Sequence, residues 1–256
     1  MTDFANKTAV ITGASRGIGE ATAHHLANLG AHVVLAARSA EAISSIAQTI
    51  TQAGGRATAI ATDVGDQASV AHLIDETIAL TGRIDLLVNN AGLIDPIARL
   101  ADSDPDAWAQ CVEVNLKGVY YGLRYTLPHM VKQGGGTIIN ISSGAATGAL
   151  EGWSHYCATK AGVLSLTKVA HKEYADQGVR VIGLSPGTVA TDMQVQIKAS
   201  GVNPVSQLDP SVHIPADWVA KTIAYLMSAD ADSYRGTDFS IKTDEGRAAV
   251  GLPPIS

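Results

Sequence analysis

The sequence predicts a doubly wound α/β fold, in which about seven parallel strands form a sheet with helices on both faces. Short β-rich runs alternate with longer helical patterns along the chain, and this alternation is typical of βαβ units. No linker, low-complexity tract or internal repeat divides the 256 residues. That length suits one large α/β unit, so we expect a single domain over residues 1–256.

The first two strands and helices are each marked by the residues at their ends. The apolar run TAVITGA (8–14) is predicted as a buried strand that enters a glycine turn. The helical pattern over 17–30 ends in a glycine, a favourable C-cap residue. HVVLAAR (32–38) is the second predicted strand. The next helix, 39–55, begins with a serine that can cap its N-terminus.

The remaining elements continue this alternation. Five further strands are predicted at residues 56–64, 83–92, 135–143, 178–187 and 236–244, and four further helices at 67–81, 105–131, 154–177 and 216–228. Pro128 is expected to kink or end the helix in which it lies. Ligands of such sheets bind beyond the carboxyl ends of the strands. Residues that directly follow a strand are therefore the candidates for a functional site.

Composition and charge exclude several classes of function. The formal net charge is −6 and no basic tract is present, so neither nucleic acid nor an anionic membrane is an expected partner. No apolar run reaches the ~20 residues that a membrane-spanning helix needs, and we expect no signal segment. Cys111 and Cys157 cannot build a disulfide framework and have no ligand cluster near them. We therefore expect a cytoplasmic protein without a metal ion.

A glycine-rich turn follows the first predicted strand. The stretch TGASRGIG (12–19) contains Gly13, Gly17 and Gly19 and opens the first helix. Glycines let the backbone turn tightly, approach a pyrophosphate closely and present helix N-terminal amides to it. The order of strand, turn and helix favours a dinucleotide site. A tight βα turn without a ligand is the alternative.

The end of the second strand indicates which dinucleotide is bound. NAD sites usually have an acidic residue there that binds the ribose hydroxyls, whereas this sequence has Ala36, Ala37 and Arg38. Arg16 in the glycine turn is a second cation, and two guanidinium groups suit a 2′-phosphate. Arg38 by itself would be assigned to the solvated surface. The pair of arginines favours NADP(H) over NAD(H).

Tyr156 and Lys160 form a second notable pair, in the stretch SHYCATKAG. They are four residues apart in a predicted helix and therefore lie on one face of it. The pair is either a surface contact or an acid whose pKa is shifted by a neighbouring charge. The segment alone leaves both possibilities open.

Taken together, the motifs resemble those of the short-chain dehydrogenase/reductase family. The resemblance runs from the glycine turn to about Gly246, and the motifs occur in the order and spacing of the family. They are TGASRGIG (12–19), DV (63–64), NNAG (89–92), NLKG (115–118), ISS (141–143), YCATK (156–160) and SPGTVATDM (185–193). The resemblance implies a Rossmann fold and an NADP-preferring carbonyl reductase. The sequence also shows a weaker resemblance to two branches of the family, the 3-oxoacyl-carrier-protein reductases and the sepiapterin and benzil reductases.

The family's catalytic tetrad matches Asn115, Ser143, Tyr156 and Lys160. By this resemblance Tyr156 is the general acid or base, and Lys160 binds the nicotinamide ribose. An unperturbed tyrosine has a pKa of ~10, and a neighbouring ammonium is expected to lower it. Ser143 would donate a hydrogen bond to the substrate oxygen, and Asn115 would connect Lys160 to solvent through water.

The resemblance also implies a set of cofactor-binding residues that follow the strand ends. They are Gly13, Ser15, Arg16, Gly17, Ile18, Gly19, Arg38, Asp63, Val64, Asn90, Ala91, Gly92, Tyr156, Lys160, Pro186, Gly187, Val189 and Thr191. Leu150, Trp153 and Met193 are predicted to form an apolar substrate wall. A lid is predicted at about 190–213, because that segment is rich in turn residues.

The predicted function is hydride transfer between NADP(H) and a ketone or secondary alcohol. The family resemblance further implies a homotetramer or homodimer with a small-molecule substrate. An NAD-dependent alcohol dehydrogenase of the same family is one alternative. A nucleotide-sensing regulator without catalysis is another, although such a protein could lose the tyrosine or lysine that this chain retains. The physiological substrate, its stereochemistry and the role of the C-terminal segment are not predicted.

Overall fold

The sheet contains seven parallel strands within residues 4–255, the part of the chain that the computed structural model describes. The strand order is β3-β2-β1-β4-β5-β6-β7, with neighbouring strands paired in parallel throughout. The strands are β1 (Thr8–Thr12), β2 (His32–Ala37), β3 (Arg56–Ala61), β4 (Leu86–Asn89), β5 (Gly136–Ile141), β6 (Val179–Ser185) and β7 (Asp238–Ser240). The doubly wound, seven-stranded prediction is therefore confirmed.

Nine α-helices connect or follow the strands in the described part of the chain. They are α1 (Gly17–Asn28), α2 (Ala40–Gln52), α3 (Gln67–Thr81), α4 (Pro105–Val112), α5 (Gly118–Lys132), α6 (Ser154–Tyr174), α7 (Asp192–Ser200), α8 (Ala216–Leu226) and α9 (Asp244–Val250). Each predicted helix is present. Helix α7 belongs to the predicted lid, and α9 is a helix that the sequence patterns did not reveal.

Two apolar layers form because side chains alternate between the faces of each strand. In β1, Ile11 packs in the layer that contains Leu26 of α1, and Val10 packs in the opposite layer. That opposite layer is completed by α3, α5 and α6, as shown by Leu123 and Val163, which are both buried. Both faces of the sheet are therefore covered, as a buried parallel sheet requires.

The helical segment predicted at 105–131 differs in detail. A π-helical turn, Glu113–Lys117, separates α4 from α5, whereas Pro128 lies inside α5 and the helix continues to Lys132. Of the two outcomes expected at Pro128, a kink or an end, the helix end is therefore excluded. Met130, beyond the proline, is buried in the apolar layer, and this packing holds the last turn in place.

The order of the strands determines where a ligand can bind. The chain crosses from β3 at one edge back to β4, so the connections that follow β1 and β4 lead in opposite directions from the centre of the sheet. Asn90, just after β4, bonds back to β1: its main-chain nitrogen donates to the Thr12 hydroxyl at 3.0 Å, and its side-chain amide donates to the Thr12 main-chain oxygen at 2.9 Å. These bonds hold the two strand ends together beside a crevice of the kind in which such sheets bind ligands.

Candidate active site

A single continuous cleft opens beyond the carboxyl ends of the strands. Its volume is about 1510 Å³, whereas a site for one small molecule usually measures roughly 300–1,000 Å³. The cleft therefore has room for a dinucleotide and a second molecule. Its walls come from the loops after β1, β2, β4, β5 and β6, together with α7 and the C-terminal segment.

Most residues predicted from the sequence line this cleft. Among them are Gly13, Ser15, Arg16, Gly17, Ile18, Arg38, Asp63, Val64, Asn90, Ala91, Gly92, Ser143, Leu150, Trp153, Tyr156, Lys160, Pro186, Gly187, Val189, Thr191 and Met193. Two predicted residues, Gly19 and Asn115, do not line it. Gly19 instead packs inside the glycine turn, where a Cβ would collide with the main-chain oxygen of Gly13.

The glycine turn has the form that an anionic group requires. Gly13 and Gly17 have positive φ angles of 64° and 56°, which L side chains rarely adopt. A Cβ on Gly13 would also lie 2.8 Å from the Cα of Ala91. Helix α1 has no side-chain cap at Arg16, whereas Ser39 caps α2. The first main-chain amides of α1 therefore remain free to bind phosphate. The glycine turn and the start of α1 fit a dinucleotide.

The end of β2 has no acidic residue, and basic residues lie near it. Ala37 is buried and lines the cleft, and the exposed Arg38 follows it. Arg16 also lines the cleft, but its guanidinium lies 3.3 Å from the Asp192 carboxylate of α7, with both side chains largely exposed. Such an exposed ion pair contributes little energy. Arg16 can therefore exchange this partner for a phosphate.

Tyr156 lies in the wall of the cleft, near the start of α6. It is 8% exposed, and its ring packs edge-on against Trp153 with 5.5 Å between ring centroids. Ser143 follows β5, and its hydroxyl accepts a hydrogen bond from the main-chain nitrogen of Ala145 at 3.2 Å. Lys160 is buried one helical turn after Tyr156 and lies 5.5 Å from the tyrosine ring centroid. The structure thus brings these three predicted side chains together.

The pKa values of this pair differ from the expectation. Burial raises the pKa of Tyr156 to about 12, and the nearby Ser143 hydroxyl only partly opposes this. Burial also lowers the pKa of Lys160 to about 8, and its ammonium donates to the main-chain oxygen of Ile141 at 2.7 Å. The pKa of Tyr156 is therefore raised where a lowered value was expected, because desolvation outweighs the effect of neighbouring charge.

Asn115 lies in the π-helical turn, and its side-chain amide makes three hydrogen bonds. Its amide nitrogen donates to the main-chain oxygen of Leu93 at 2.8 Å and to the Cys111 sulfur at 3.1 Å. Its amide oxygen accepts from the main-chain nitrogen of Leu93 at 2.7 Å. Both amide hydrogens and the amide oxygen are therefore engaged within the protein. The Asn115 side chain holds the segment at Leu93, which follows β4.

The far end of the cleft is an apolar pocket next to Tyr156. The predicted wall of Leu150, Trp153 and Met193 packs there in one cluster with Ile94 and Ile197. Its members come from the chain after β4, the chain after β5 and helix α7. A substrate at this place would contact hydrocarbon on most sides.

Asp238, at the start of β7, is a partly buried charge near the site that the motifs did not indicate. One carboxylate oxygen accepts from the Ser142 hydroxyl at 3.0 Å, and the other is buried without a hydrogen-bond partner. Burial raises the pKa of Asp238 to about 6, although Ser142 and the Lys160 charge oppose this. The only sequence signal was an acidic residue in a short apolar strand.

We expect Asp238→Asn to stabilise the protein at pH 7.5. The pKa of this carboxyl is about 6 in the folded protein and 3.8 when unperturbed, so stability is lost as the pH rises from 3.8 to 6 and the full cost is present above pH 6. Removing this cost should raise the thermal midpoint by about 2–6 °C. The gain should shrink as the pH falls from 6 toward 4, because the wild-type group then takes up its proton. Thermal unfolding of the wild type and Asp238→Asn at pH 7.5 and pH 5 measures this effect, with Asp75→Asn, at an exposed position, as the control. Equal midpoints for the wild type and Asp238→Asn at pH 7.5 would contradict the prediction.

The C-terminal segment also contributes to the cleft. Lys242, Arg247 and Ile255 line it, and the last two lie beyond the end of the resemblance. Arg247 donates to the main-chain oxygen of Pro254 at 2.9 Å, and the main-chain nitrogen of Ile255 donates to Asp244 at 2.8 Å. Helix α9 therefore folds this segment back against the opening. No short motif could have predicted this, since it depends on contacts between separate elements.

Residues 4–255 contain no group of three or more His, Cys, Asp or Glu side chains arranged to hold a metal ion. Within the same residues, no helix combines the length and hydropathy needed to cross a bilayer.

Comparison with known proteins places the chain in a family. The family model described as short chain dehydrogenase matches residues 7–201. A relative from Sinomonas cyclohexanicum, cis-4-hydroxycyclohexanecarboxylate dehydrogenase, is 38% identical over 248 residues, which covers 96% of this chain and 98% of the relative.

Two solved structures resemble the fold closely. An NAD⁺-bound xylitol dehydrogenase superposes with a TM-score of 0.86 at 25% identity and covers 94% of this chain and 99% of its own. A metagenomic short-chain oxidoreductase in complex with NADP gives a TM-score of 0.78 at 33% identity, covering 93% and 96% of the two chains. The two structures hold different nicotinamide dinucleotides.

Proposed function

The chain belongs to the short-chain dehydrogenase family and is an oxidoreductase of alcohol and ketone groups, and from this premise we propose that it transfers a hydride between NADP(H) and a ketone or secondary alcohol. Tyr156 is the general acid in reduction and the general base in oxidation. The observation that carries this proposal is the placement of Tyr156, Ser143 and Lys160 on one wall of the cleft, beside an apolar pocket.

The proton chemistry follows from the environment of Tyr156. Its pKa of about 12 keeps the phenol protonated at neutral pH, which is the state that a proton donor needs. When bound, the reduced nicotinamide supplies the hydride that is added to the carbonyl carbon. Tyr156 gives its proton to the carbonyl oxygen, so the product is the alcohol. The reverse reaction returns that proton to the phenolate.

Three other residues support this step. Ser143 donates to the carbonyl oxygen and stabilises the charge that develops there. Lys160 lies 5.5 Å from the tyrosine ring centroid, so its positive charge stabilises the phenolate when it forms. Asn115 holds the main chain at Leu93, a residue that lines the cleft, through both of its amide atoms.

The proposed cofactor is NADP(H). Three features support it: no acid ends β2, Arg38 follows there, and Arg16 lies in the glycine turn. The remaining cofactor-binding roles are proposed for the residues that the family resemblance named, with Asp63 and Val64 beside the adenine. The NAD⁺-bound xylitol dehydrogenase keeps NAD(H) as the alternative.

Titration of the pure protein with NADPH and NADH tests the cofactor, and turnover tests the reaction. We expect NADPH to bind at least about tenfold more tightly, because a 2′-phosphate adds charge-assisted hydrogen bonds. We also expect NADPH oxidation when cyclic ketones are added, since the pocket is apolar. Tighter binding of NADH would favour the NAD-dependent alternative, and nucleotide binding without turnover of any ketone or alcohol would favour a regulator.

The architecture beyond the site is proposed on the family's pattern. We propose one domain over residues 1–256, with residues 190–213 as the lid, acting as a cytoplasmic homotetramer or homodimer. Exposed apolar side chains on α5 and α6, namely Tyr120 and Val169, each 47% exposed, support association through these helices.

A further inference from the structure

We propose that Lys242 binds a carboxylate of the substrate, so that the preferred substrate is an apolar alcohol or ketone that carries a carboxylate. This inference rests on the proposed function, since it concerns the same cleft. It adds a specificity-determining residue that belongs to none of the motifs and lies on the segment between β7 and α9.

The position of the Lys242 side chain is defined by two glycines. A Cβ on Gly187 would lie 2.9 Å from the Lys242 Cγ, and a Cβ on Gly144 would lie 3.2 Å from its Nζ. The side chain therefore extends from the loop after β6 to the loop after β5. Its ammonium lies beside the residue that follows Ser143, the proposed hydrogen-bond donor to the substrate oxygen.

The backbone that carries Lys242 is fixed. Its main-chain nitrogen donates to the Ser240 hydroxyl at 3.2 Å. The next residue, Thr243, caps α9 by accepting from the main-chain nitrogen of Gly246 at 3.1 Å. A lysine held between a strand end and a capped helix presents its ammonium to a limited region of the cleft.

The charge of Lys242 has no partner among residues 4–255. Its ammonium makes no hydrogen bond and no ion pair there, whereas the other cations of this cleft wall are engaged. Arg16 pairs with Asp192, Lys160 donates to Ile141, and Arg247 donates to main-chain oxygens of Ile241 and Pro254. Arg38 follows β2, on the far side of the sheet from β7. Lys242 is therefore the uncommitted cation closest to the reacting groups.

An apolar pocket with one free cation at its edge suits a particular kind of substrate. The hydrocarbon part would pack against the cluster of Trp153, Ile94 and Ile197, and the reacting carbon would lie at Tyr156. A carboxylate on the same molecule would reach Lys242 at the opening. Neutral ketones would gain only the apolar contacts, and a charge-assisted hydrogen bond exceeds a neutral one in strength.

Binding to the enzyme–NADPH complex tests this inference without requiring turnover. Calorimetric titration compares cyclohexanecarboxylate with cyclohexanecarboxamide, which has a similar shape and no charge. We expect the carboxylate to bind about 5–20-fold more tightly, and less so as salt is added, because Lys242 is exposed. In Lys242→Met this preference should be lost, in Lys242→Arg it should be retained, and the exposed Lys132→Met serves as the matched control.

Each result has a distinct meaning. Equal binding of the two ligands to the wild type, or a preference that survives Lys242→Met, would overturn the carboxylate site. Weaker NADPH binding in Lys242→Met, measured without the second ligand, would assign the lysine to the cofactor and would also overturn it. Ketone turnover is measured separately: its absence alongside a Lys242-dependent preference would refute the proposed reaction and leave the carboxylate site supported.

Discussion

Replacing Tyr156 with phenylalanine is expected to lower kcat/KM for ketone reduction by about 10²–10⁴-fold, the usual contribution of a general acid. The substitution removes one oxygen and keeps the ring that packs against Trp153 at 5.5 Å between centroids. The fold and the apolar pocket should therefore be retained. NADPH binding should persist, because the glycine turn and the end of β2 are not altered.

Steady-state kinetics and NADPH titration of the same preparation measure both effects. Tyr174→Phe is a suitable control, since this tyrosine lies at the opposite end of α6 from Tyr156 and outside the cleft, and the variant should have wild-type kinetics. Turnover of Tyr156→Phe within threefold of the wild type would refute the assignment of Tyr156 as the proton donor. Loss of NADPH binding in that variant would instead indicate that the substitution damages the cofactor site.

A change at the end of β2 is expected to reverse the preference between the two dinucleotides. In the double variant Ala37→Asp and Arg38→Ala, a carboxylate replaces the small residue that ends β2, and the cation that follows is removed. The carboxylate can bind ribose hydroxyls and repels a 2′-phosphate. We expect the ratio of kcat/KM for NADPH to that for NADH to fall by about 100-fold.

Single variants separate the two contributions. Arg38→Ala alone should lower the ratio by roughly tenfold, because Arg16 remains to bind the phosphate. Arg124→Ala on α5 removes an exposed arginine far from this strand end and should leave the ratio unchanged. A ratio unaffected by the double variant would mean that the end of β2 does not select the dinucleotide.

Most of the fold could be predicted from the sequence because its signals are local. Buried strands are short apolar runs, and the glycines and caps that end each element lie next to it in the chain. The π-helical turn at Glu113–Lys117 was not predictable in this way. Asn115 in this turn bonds to Leu93 of a separate loop, a contact that neighbouring residues in the sequence do not indicate.

The candidate site likewise has features that local sequence signals predict and features that depend on tertiary contacts. The sequence by itself determined the parallel α/β sheet, the glycine turn and the absence of an acidic residue at position 37. It also determined the presence of Ser143, Tyr156 and Lys160, since residue type and spacing define all of these features. Only the tertiary structure decided how buried these groups are. Burial raises the pKa of Tyr156, lowers that of Lys160 and raises that of Asp238. The desolvation of each group results from packing against elements that are distant in the sequence. The same packing brings Lys242 to the cleft.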